Sequence, residues 1–333
     1  MSTTALRWGL LSTANINRAL ITPLRASARN RLTAVASRSQ DSAEAYARKW
    51  NIEQAFGSYD AMLASPDIDV IYNPLPNHMH IEWTIKALQA GKHVLCEKPL
   101  ALSTDEVDAM AAAAERSGKV LAEAFMYRHH PQTIKVRELV KNGTIGKLQA
   151  VRGSFTFKMN SDENIRLVPE WGGGSIWDVG CYPISYTRLI TGAEPVEVFG
   201  QQVTGSSGID DSFFGQMRFP GEVYAQFDCG FRTPYRTHME IIGSDGTLTI
   251  PMPFKPGMPF EPGQVEKISL YREDRTETIS IPSQELYIGE VEDMADCILL
   301  GKAPRMSLAD SRANVATIVA LLRSASTGQT VRL

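Results

Sequence analysis

Near the amino end the chain reads Leu6-Arg7-Trp8-Gly9-Leu10-Leu11-Ser12-Thr13-Ala14-Asn15-Ile16: an apolar run, a turn of small polar residues, then the start of an amphipathic stretch. A strand, a tight turn and a helix start in that order form the place where a dinucleotide pyrophosphate rests on helix amides. Of the three glycine positions in a GxxGxG spelling only Gly9 is glycine, and Ser12 and Ala14 hold the other two. Ala14 still allows close packing of the helix, and the Ser12 amide can still donate to phosphate. Taken alone, the stretch reads equally well as an ordinary βα turn.

Working outward, the same alternation continues to about Ala124. Short apolar runs at Leu6–Leu11, Leu32–Ser37, Val70–Asn73, His93–Cys96 and Val120–Ala124 have the composition of strands buried on both faces of a parallel sheet. Between them, Asn15–Ser27, Ser42–Lys49, Ser58–Ala64, His78–Ala90 and Ser103–Ser117 carry apolar residues at helical spacing, and the last opens on a capping-box spelling, Ser103-Thr104-Asp105-Glu106. The spacing predicts βαβ units. The second strand ends at Ser37-Arg38-Ser39 with no carboxylate. An acid at that point would bond an NAD ribose, whereas a guanidinium and hydroxyls suit a ribose phosphate, so NADP is expected over NAD. The plain alternative for Arg38 is a solvated residue at a helix entry.

After Arg128 the texture changes. A helix is expected at Pro131–Lys141, followed by two-residue alternation at Ala150–Phe157, Val196–Val203, Phe213–Phe219, Val223–Phe231 and His238–Ile242, with turns at Pro220-Gly221 and Gly243–Thr247. A Pro-rich loop spans Met252–Gly263, and a helix from about Ala309 to Ser324 closes the chain. The fold class is therefore an α/β Rossmann dinucleotide-binding domain, residues 1–124, followed by an α+β domain with a large, mostly antiparallel open sheet, residues 125–333. A length of 333 residues agrees with two cores.

Composition excludes several classes. Hydrophobic residues at 43% and charged residues at 21% describe a folded globular chain. With 34 basic against 37 acidic residues and no basic block, nucleic acid is not an expected partner. Cys96, Cys181, Cys229 and Cys297 form no CxxC pair and read as buried reduced thiols, without zinc or a disulfide framework. The opening MSTTALRWGLLS is too polar for a signal peptide and no apolar run approaches eighteen residues, so a cytoplasmic location away from membranes is expected.

Two further stretches bring polar groups to the carboxyl edge of the first sheet, where an open α/β sheet has its crevice. Tyr72-Asn73-Pro74-Leu75-Pro76-Asn77-His78-Met79-His80 follows one strand, and His93-Val94-Leu95-Cys96-Glu97-Lys98-Pro99-Leu100 delivers Glu97 and Lys98 after the next. Asn77 also reads as a helix cap, and Glu97 with Lys98 as a simple loop ion pair. Further on, Gly172-Gly173-Gly174 runs into Asp178-Val179-Gly180-Cys181-Tyr182. On a helix, Asp178 and Tyr182 lie one turn apart on one face, a spacing that suits a proton relay, although the tyrosine also fits an amphipathic helix that merely packs. Trp171 and Trp177 read either as walls of a pocket or as core. His129 and His130 lack a third ligand and read as helix-entry and rim residues; no metal is expected.

Together, the GxxGxG-like start, Pro74 with His80, Glu97-Lys98-Pro99, the triple glycine and Asp178–Tyr182 resemble the glucose-fructose oxidoreductase and inositol dehydrogenase family over the whole chain. Glu123–Arg128, Asn164-Ile165-Arg166 and Asp178–Tyr182 are most similar to its NADP-dependent D-xylose dehydrogenase and dimeric dihydrodiol dehydrogenase branch. The family more often has histidine where Tyr182 stands, which disfavours an inositol dehydrogenase. The resemblance implies hydride transfer between NADP and a small sugar, polyol or cyclic diol. It implies Lys98, Tyr182 and Asp178 as catalytic residues at a site between the domains. Gly9, Ser12, Thr13, Ala14, Asn15, Ile16, Ser37, Arg38, Ser39, Leu75, Pro76, Asn77, His80, Glu97 and Lys98 are the expected cofactor contacts, with Asn77 and His80 on the nicotinamide side. Tyr182 would relay the proton, and lowering its pKa from about 10 to near neutrality needs roughly 2.7 kcal/mol, which the Lys98 ammonium can supply. Lys98 itself stays open as the proton carrier. Asp178 would orient the substrate hydroxyl or Lys98. A non-catalytic NAD(P)-binding sensor or regulator on the same fold is the competing reading, with a scaffold that binds no cofactor behind it. Phe155, Phe157, Phe213 and Phe227 are expected on a sheet face that a second copy would cover, giving a homodimer, the plain alternative being that they pack under the helices from Pro131 and Ala309 within one chain.

Overall fold

A computed structural model describes residues 5–161 and 163–333; the leader reading draws partly on Met1 to Thr4, which lie outside the described residues. The first sheet has six parallel strands, β1 (Leu6–Leu11), β2 (Asn30–Ala36), β3 (Gln54–Phe56), β4 (Val70–Asn73), β5 (His93–Glu97) and β6 (Leu121–Ala124), in the order β3-β2-β1-β4-β5-β6. Helices α1 (Asn17–Ala26), α2 (Gln40–Trp50), α3 (Tyr59–Leu63), α4 (His80–Gln89) and α5 (Thr104–Ser117) make the crossovers. Strand order reverses between β1 and β4, which puts the switch-point crevice beside the end of β1. Trp8, Leu10, Val35, Val70, Ile71 and Val94 are fully buried, as strands covered on both faces require. Gly9 serves this packing: a Cβ there would lie 2.8 Å from the Met62 sulfur and 3.2 Å from Ile68 Cγ2.

The second sheet has nine strands. They are β7 (Leu148–Thr156), β8 (Glu197–Thr204), β9 (Asp210–Phe219), β10 (Val223–Gly230), β11 (Arg236–Gly243), β12 (Thr247–Ile250), β13 (Val265–Arg272), β14 (Arg275–Pro282) and β15 (Val331–Arg332). Their order is β14-β13-β12-β11-β7-β10-β9-β8-β15, and β7 with β10 is a parallel pair in an otherwise antiparallel ladder. Four helices complete the chain: α6 (Pro131–Lys141), α7 (Cys181–Thr191), α8 (Ile288–Leu300) and α9 (Leu308–Thr327).

The aromatic face is corrected. Phe155 (2% exposed), Phe213 (0%) and Phe227 (5%) are buried within one protomer, because one face of the sheet is already covered by α7 and the turn before it. Phe157 is half-buried against Phe231, ring centroids 5.1 Å apart. The exposed aromatics among the described residues of this sheet are Phe214 and Tyr224, beside Arg152, Gln216 and Gln226, and Tyr271 on β13.

The chain forms two compact units. One runs to His129 and takes in Tyr287–Arg312; the other holds His130–Leu286 and Ala313–Leu333. The sequence reading draws a single cut after residue 124, whereas here a late segment joins the first unit. Helix α8 packs on α1 with Val291, Met294 and Ala295 buried, and Arg29, beside β2, pairs with Glu292 and, at 2.6 Å, with Asp296 on α8.

Candidate active site

In the first unit the expected cofactor residues line the carboxyl ends of β1, β2, β4 and β5. After β1 the chain turns at Ser12, whose φ of 89° is one that side-chain-bearing residues rarely adopt and that the glycine of a GxxGxG spelling adopts freely. The turn is held by Ala14 N donating to Ser12 Oγ (3.2 Å) and by Asn17 Nδ2 donating to the Ser12 carbonyl (2.8 Å). Ser12, Thr13, Ala14 and Ile16 are half-buried and Asn15 is exposed. No side chain caps α1, whereas Ser39, Ser58 and Ser103 cap α2, α3 and α5. Asn17 N and Ala19 N already bond the Ala14 and Ile16 carbonyls, so it is the remaining amides of the turn that could meet an anion such as a pyrophosphate. At the end of β2, Ser37 is buried, its amide bonded to the Phe56 carbonyl, and Arg38 is exposed. Ser39 spends its hydroxyl on α2, accepting from Ser42 N.

The loops after β4 and β5 are tied together. His80, expected on the nicotinamide side, is fully buried and joins them: Nδ1 lies 2.9 Å from the Pro99 carbonyl and Nε2 2.8 Å from the Leu75 carbonyl. Burial, helped by the Lys98 charge, pushes this imidazole down to about 4, so it is neutral at physiological pH and donates to one carbonyl at a time. Glu123 accepts from Leu100 N at 2.9 Å, and burial pushes its carboxyl up to about 7. Glu97 accepts from Tyr72 Oη at 2.5 Å, and its second oxygen lies 3.3 Å from Lys98 N. Lys98 is half-buried at the tip of this clamped loop; Asn77 opens a 3₁₀ turn before α4.

In the second unit the triple glycine is shaped by what packs on it. Gly172 has φ 77°; a Cβ on Gly173 would strike the Arg166 carbonyl at 2.5 Å, and one on Gly174 (φ 122°) would lie 2.1 Å from Asp210 Oδ1. Gly174 N bonds Arg166 O at 2.9 Å, which staples the Asn164–Arg166 segment to the turn that follows. That turn, Ile176–Gly180, is π-helical, so the chain reaches Tyr182 on α7 through a wider turn than the α-helix expected for both residues. Asp178 is largely buried and accepts from Arg166 Nε at 2.6 Å. The Tyr182 ring, 5% exposed, meets Phe155 edge-on at 5.2 Å and Phe254 at 5.5 Å. Trp177 is core at 7% exposure and Trp171 is exposed at 40%. His129 and His130 are both buried. His129 sits in a small internal pocket beside Glu123 and Glu290, which corrects its expected place at a rim, and His130 caps α6 by accepting from Gln132 N.

Comparison with known proteins agrees with this architecture. Residues 6–125 match the oxidoreductase family with an NAD-binding Rossmann fold, and residues 133–249 match the GFO/IDH/MocA C-terminal domain. D-xylose 1-dehydrogenase (NADP(+)) 2 of Haloferax volcanii is 34% identical over 98% of this chain and 99% of its own. The chain belongs to the GFO/IDH/MocA family. Another relative, trans-1,2-dihydrobenzene-1,2-diol dehydrogenase of Xenopus laevis, is 30% identical over 95% of this chain and 96% of its own. Among solved structures, a 3-ketoreductase from Actinomadura kijaniata in complex with NADP and TDP-benzene superposes with a TM-score of 0.90 at 30% identity, covering 96% of this chain and 98% of that one. These relatives are dehydrogenases and reductases of CH–OH groups, and this family member is an NAD(P)-dependent oxidoreductase.

Several residues that build the site of this family member escaped sequence reading. Phe254 and Asp210 belong to no motif, and Tyr72 and Glu123 open quoted stretches without any role assigned to their side chains. Each acts through a partner distant in sequence: Tyr72 through Glu97, Glu123 through Leu100, Phe254 through Tyr182 and Asp210 through Ser175. Arg166 entered only through the resemblance, and the available sign was its place a few residues before the triple glycine.

Proposed function

We propose that the protein is an NADP-preferring dehydrogenase or reductase of a small sugar, polyol or cyclic diol, with Tyr182 and Lys98 as its proton-relay pair. The observation that carries the reading is the pairing of an uncapped α1 and a carboxylate-free β2 end with a clamped loop presenting Lys98. Bound nicotinamide supplies the acceptor or donor of the hydride. The amino end of α1 receives the pyrophosphate, and Arg38 meets the ribose phosphate. Lys98 holds the substrate oxygen and stabilises the Tyr182 phenolate, and Tyr182 takes the hydroxyl proton in oxidation or returns it in reduction. Asp178, fixed by Arg166, orients the substrate hydroxyl. The relatives support the substrate class: one is named for D-xylose, one for a cyclic diol and one is a 3-ketoreductase.

The test is a turnover screen with NADP and NAD across pentoses, hexoses, cyclitols and dihydrodiols. Turnover of at least one class with NADP is expected; tight NADP binding without turnover of any class would identify a sensor instead. We further propose a homodimer formed through the outer face of the nine-stranded sheet, where Phe214 (52% exposed) and Tyr224 (54%) stand near a depression of about 490 Å³ lined by Arg152, Gln226 and Arg236. Light scattering giving the 36.7 kDa mass of one chain would rule it out. The four free, buried thiols support a cytoplasmic location.

A further inference from the structure

We propose that Asp210, at the start of β9, is a positioning residue for the reaction, holding by its carboxylate the turn that presents Asp178 and Tyr182. The inference rests on the oxidoreductase reading above and assigns a role to a residue outside every motif of the chain.

The geometry is specific. Asp210 is 4% exposed, and a single oxygen, Oδ2, accepts both Ser175 Oγ at 2.6 Å and the Ile176 amide at 2.8 Å. Those two donors open the π-helical turn Ile176–Gly180, an element that carries Asp178 and leads directly into Cys181 and Tyr182. The other carboxylate oxygen fills the space beside Gly174, where a Cβ would lie at 2.1 Å. Glycine is therefore required next to the acid on two counts, room and a φ of 122°.

Arg166 anchors the turn independently, its backbone carbonyl taking Gly174 N just before the turn and its Nε binding Asp178 in the middle of it. Arg166 sets where the Asp178 carboxylate points, and Asp210 sets where the backbone beneath it begins. A π-helical turn needs such bracketing, because an adjacent α-helix offers the same residues a tighter set of bonds. A carboxylate is a strong acceptor for two donors at once. Burial pushes the Asp210 carboxyl up to about 6, still below neutrality, so the charged form that binds both donors is present at physiological pH. The groups around it are Ser175, Cys229 and, beyond the thiol, Asp228 and Cys181.

Three variants of the full chain test this. Asp210→Ala should lower kcat by about ten- to a hundredfold, the loss expected for charge-assisted bonds, while leaving KM for NADP within about twofold. Ser175→Ala, a milder change that removes one of the two bonds, should lower kcat by about fivefold with the same cofactor KM. Asp210→Asn retains an acceptor of the same length and should restore most of what the alanine variant loses. In parallel, hydrogen exchange of the Ile176 amide should quicken in Asp210→Ala and Ser175→Ala but stay slow in Asp210→Asn. An unchanged kcat in Asp210→Ala overturns the proposal. So does a cofactor KM that rises in step with the fall in kcat, or an asparagine variant as impaired as the alanine. If the wild-type chain turns over nothing in the screen, the oxidoreductase reading falls by itself, and the exchange measurement still decides whether Asp210 holds the turn.

Discussion

At the scale of one residue, the proposed cofactor choice rests on Arg38. It is exposed at the end of a strand that bears no acid, while its neighbours are otherwise engaged, the Ser37 amide with Phe56 and the Ser39 hydroxyl with α2. With both serines partly committed to the protein, the guanidinium is the main group left to meet a ribose phosphate. Arg38→Ala is thus expected to weaken NADP binding about ten- to a hundredfold and leave NAD nearly untouched, measured by titrating both cofactors against the same preparation. An equal loss for both would remove the assignment. Ser12 shows the opposite economy: it occupies a glycine position at φ 89°, and its hydroxyl and carbonyl each take a bond that holds the strained turn.

At the scale of elements, two short segments are built to keep a side chain still. The loop bearing Lys98 is tied to its neighbours by His80 and Glu123, and the turn before Tyr182 by Arg166 and Asp210. If Lys98 and Tyr182 perform one electrostatic task, Lys98→Met and Tyr182→Phe should each lower kcat strongly, and the double variant should fall little further. Losses that multiply would mean two separate roles, and full activity in Tyr182→Phe would take it out of the mechanism. Both segments show how far the sequence could be read. The βα alternation was legible because buried parallel strands must be continuously apolar, and β1 and β4 begin and end where expected. Strand β3, three half-buried residues at a sheet edge, has too little pattern to register, and β14 is exposed along most of its length. The ties escaped because a hydrogen bond between residues 19 or 35 apart leaves no periodic mark in either segment.

For the whole molecule, buried ionisable groups set the response to acid. Burial pushes His80, His93 and His130 down to about 4 and His129 to about 3, while it pushes Glu123 up to about 7 and Asp210 to about 6. The signs oppose. A histidine neutral in the fold takes up a proton more readily once unfolded, so its stability contribution is present above about 6.5 and is lost as pH falls toward 4. An acid with a raised pKa favours the fold at low pH and loses that contribution as pH rises toward 6 or 7. Asp293 is also raised by burial, but the four histidines outweigh these three acids, and the melting temperature is expected to fall between pH 6.5 and 4.5 by scanning calorimetry; a rise over that interval would contradict it. The two compact units also bear on how the protein is made. The first unit needs Tyr287–Arg312, and Arg29 finds Glu292 and Asp296 only there. On the ribosome, the nucleotide-binding half therefore waits, with the α8-facing side of α1 uncovered, until Tyr287–Arg312 has been synthesised. Amino-terminal fragments that stop near residue 129 should consequently be poor folders, and a truncation that removes α8, far along the chain, would disable the end of the protein translated first.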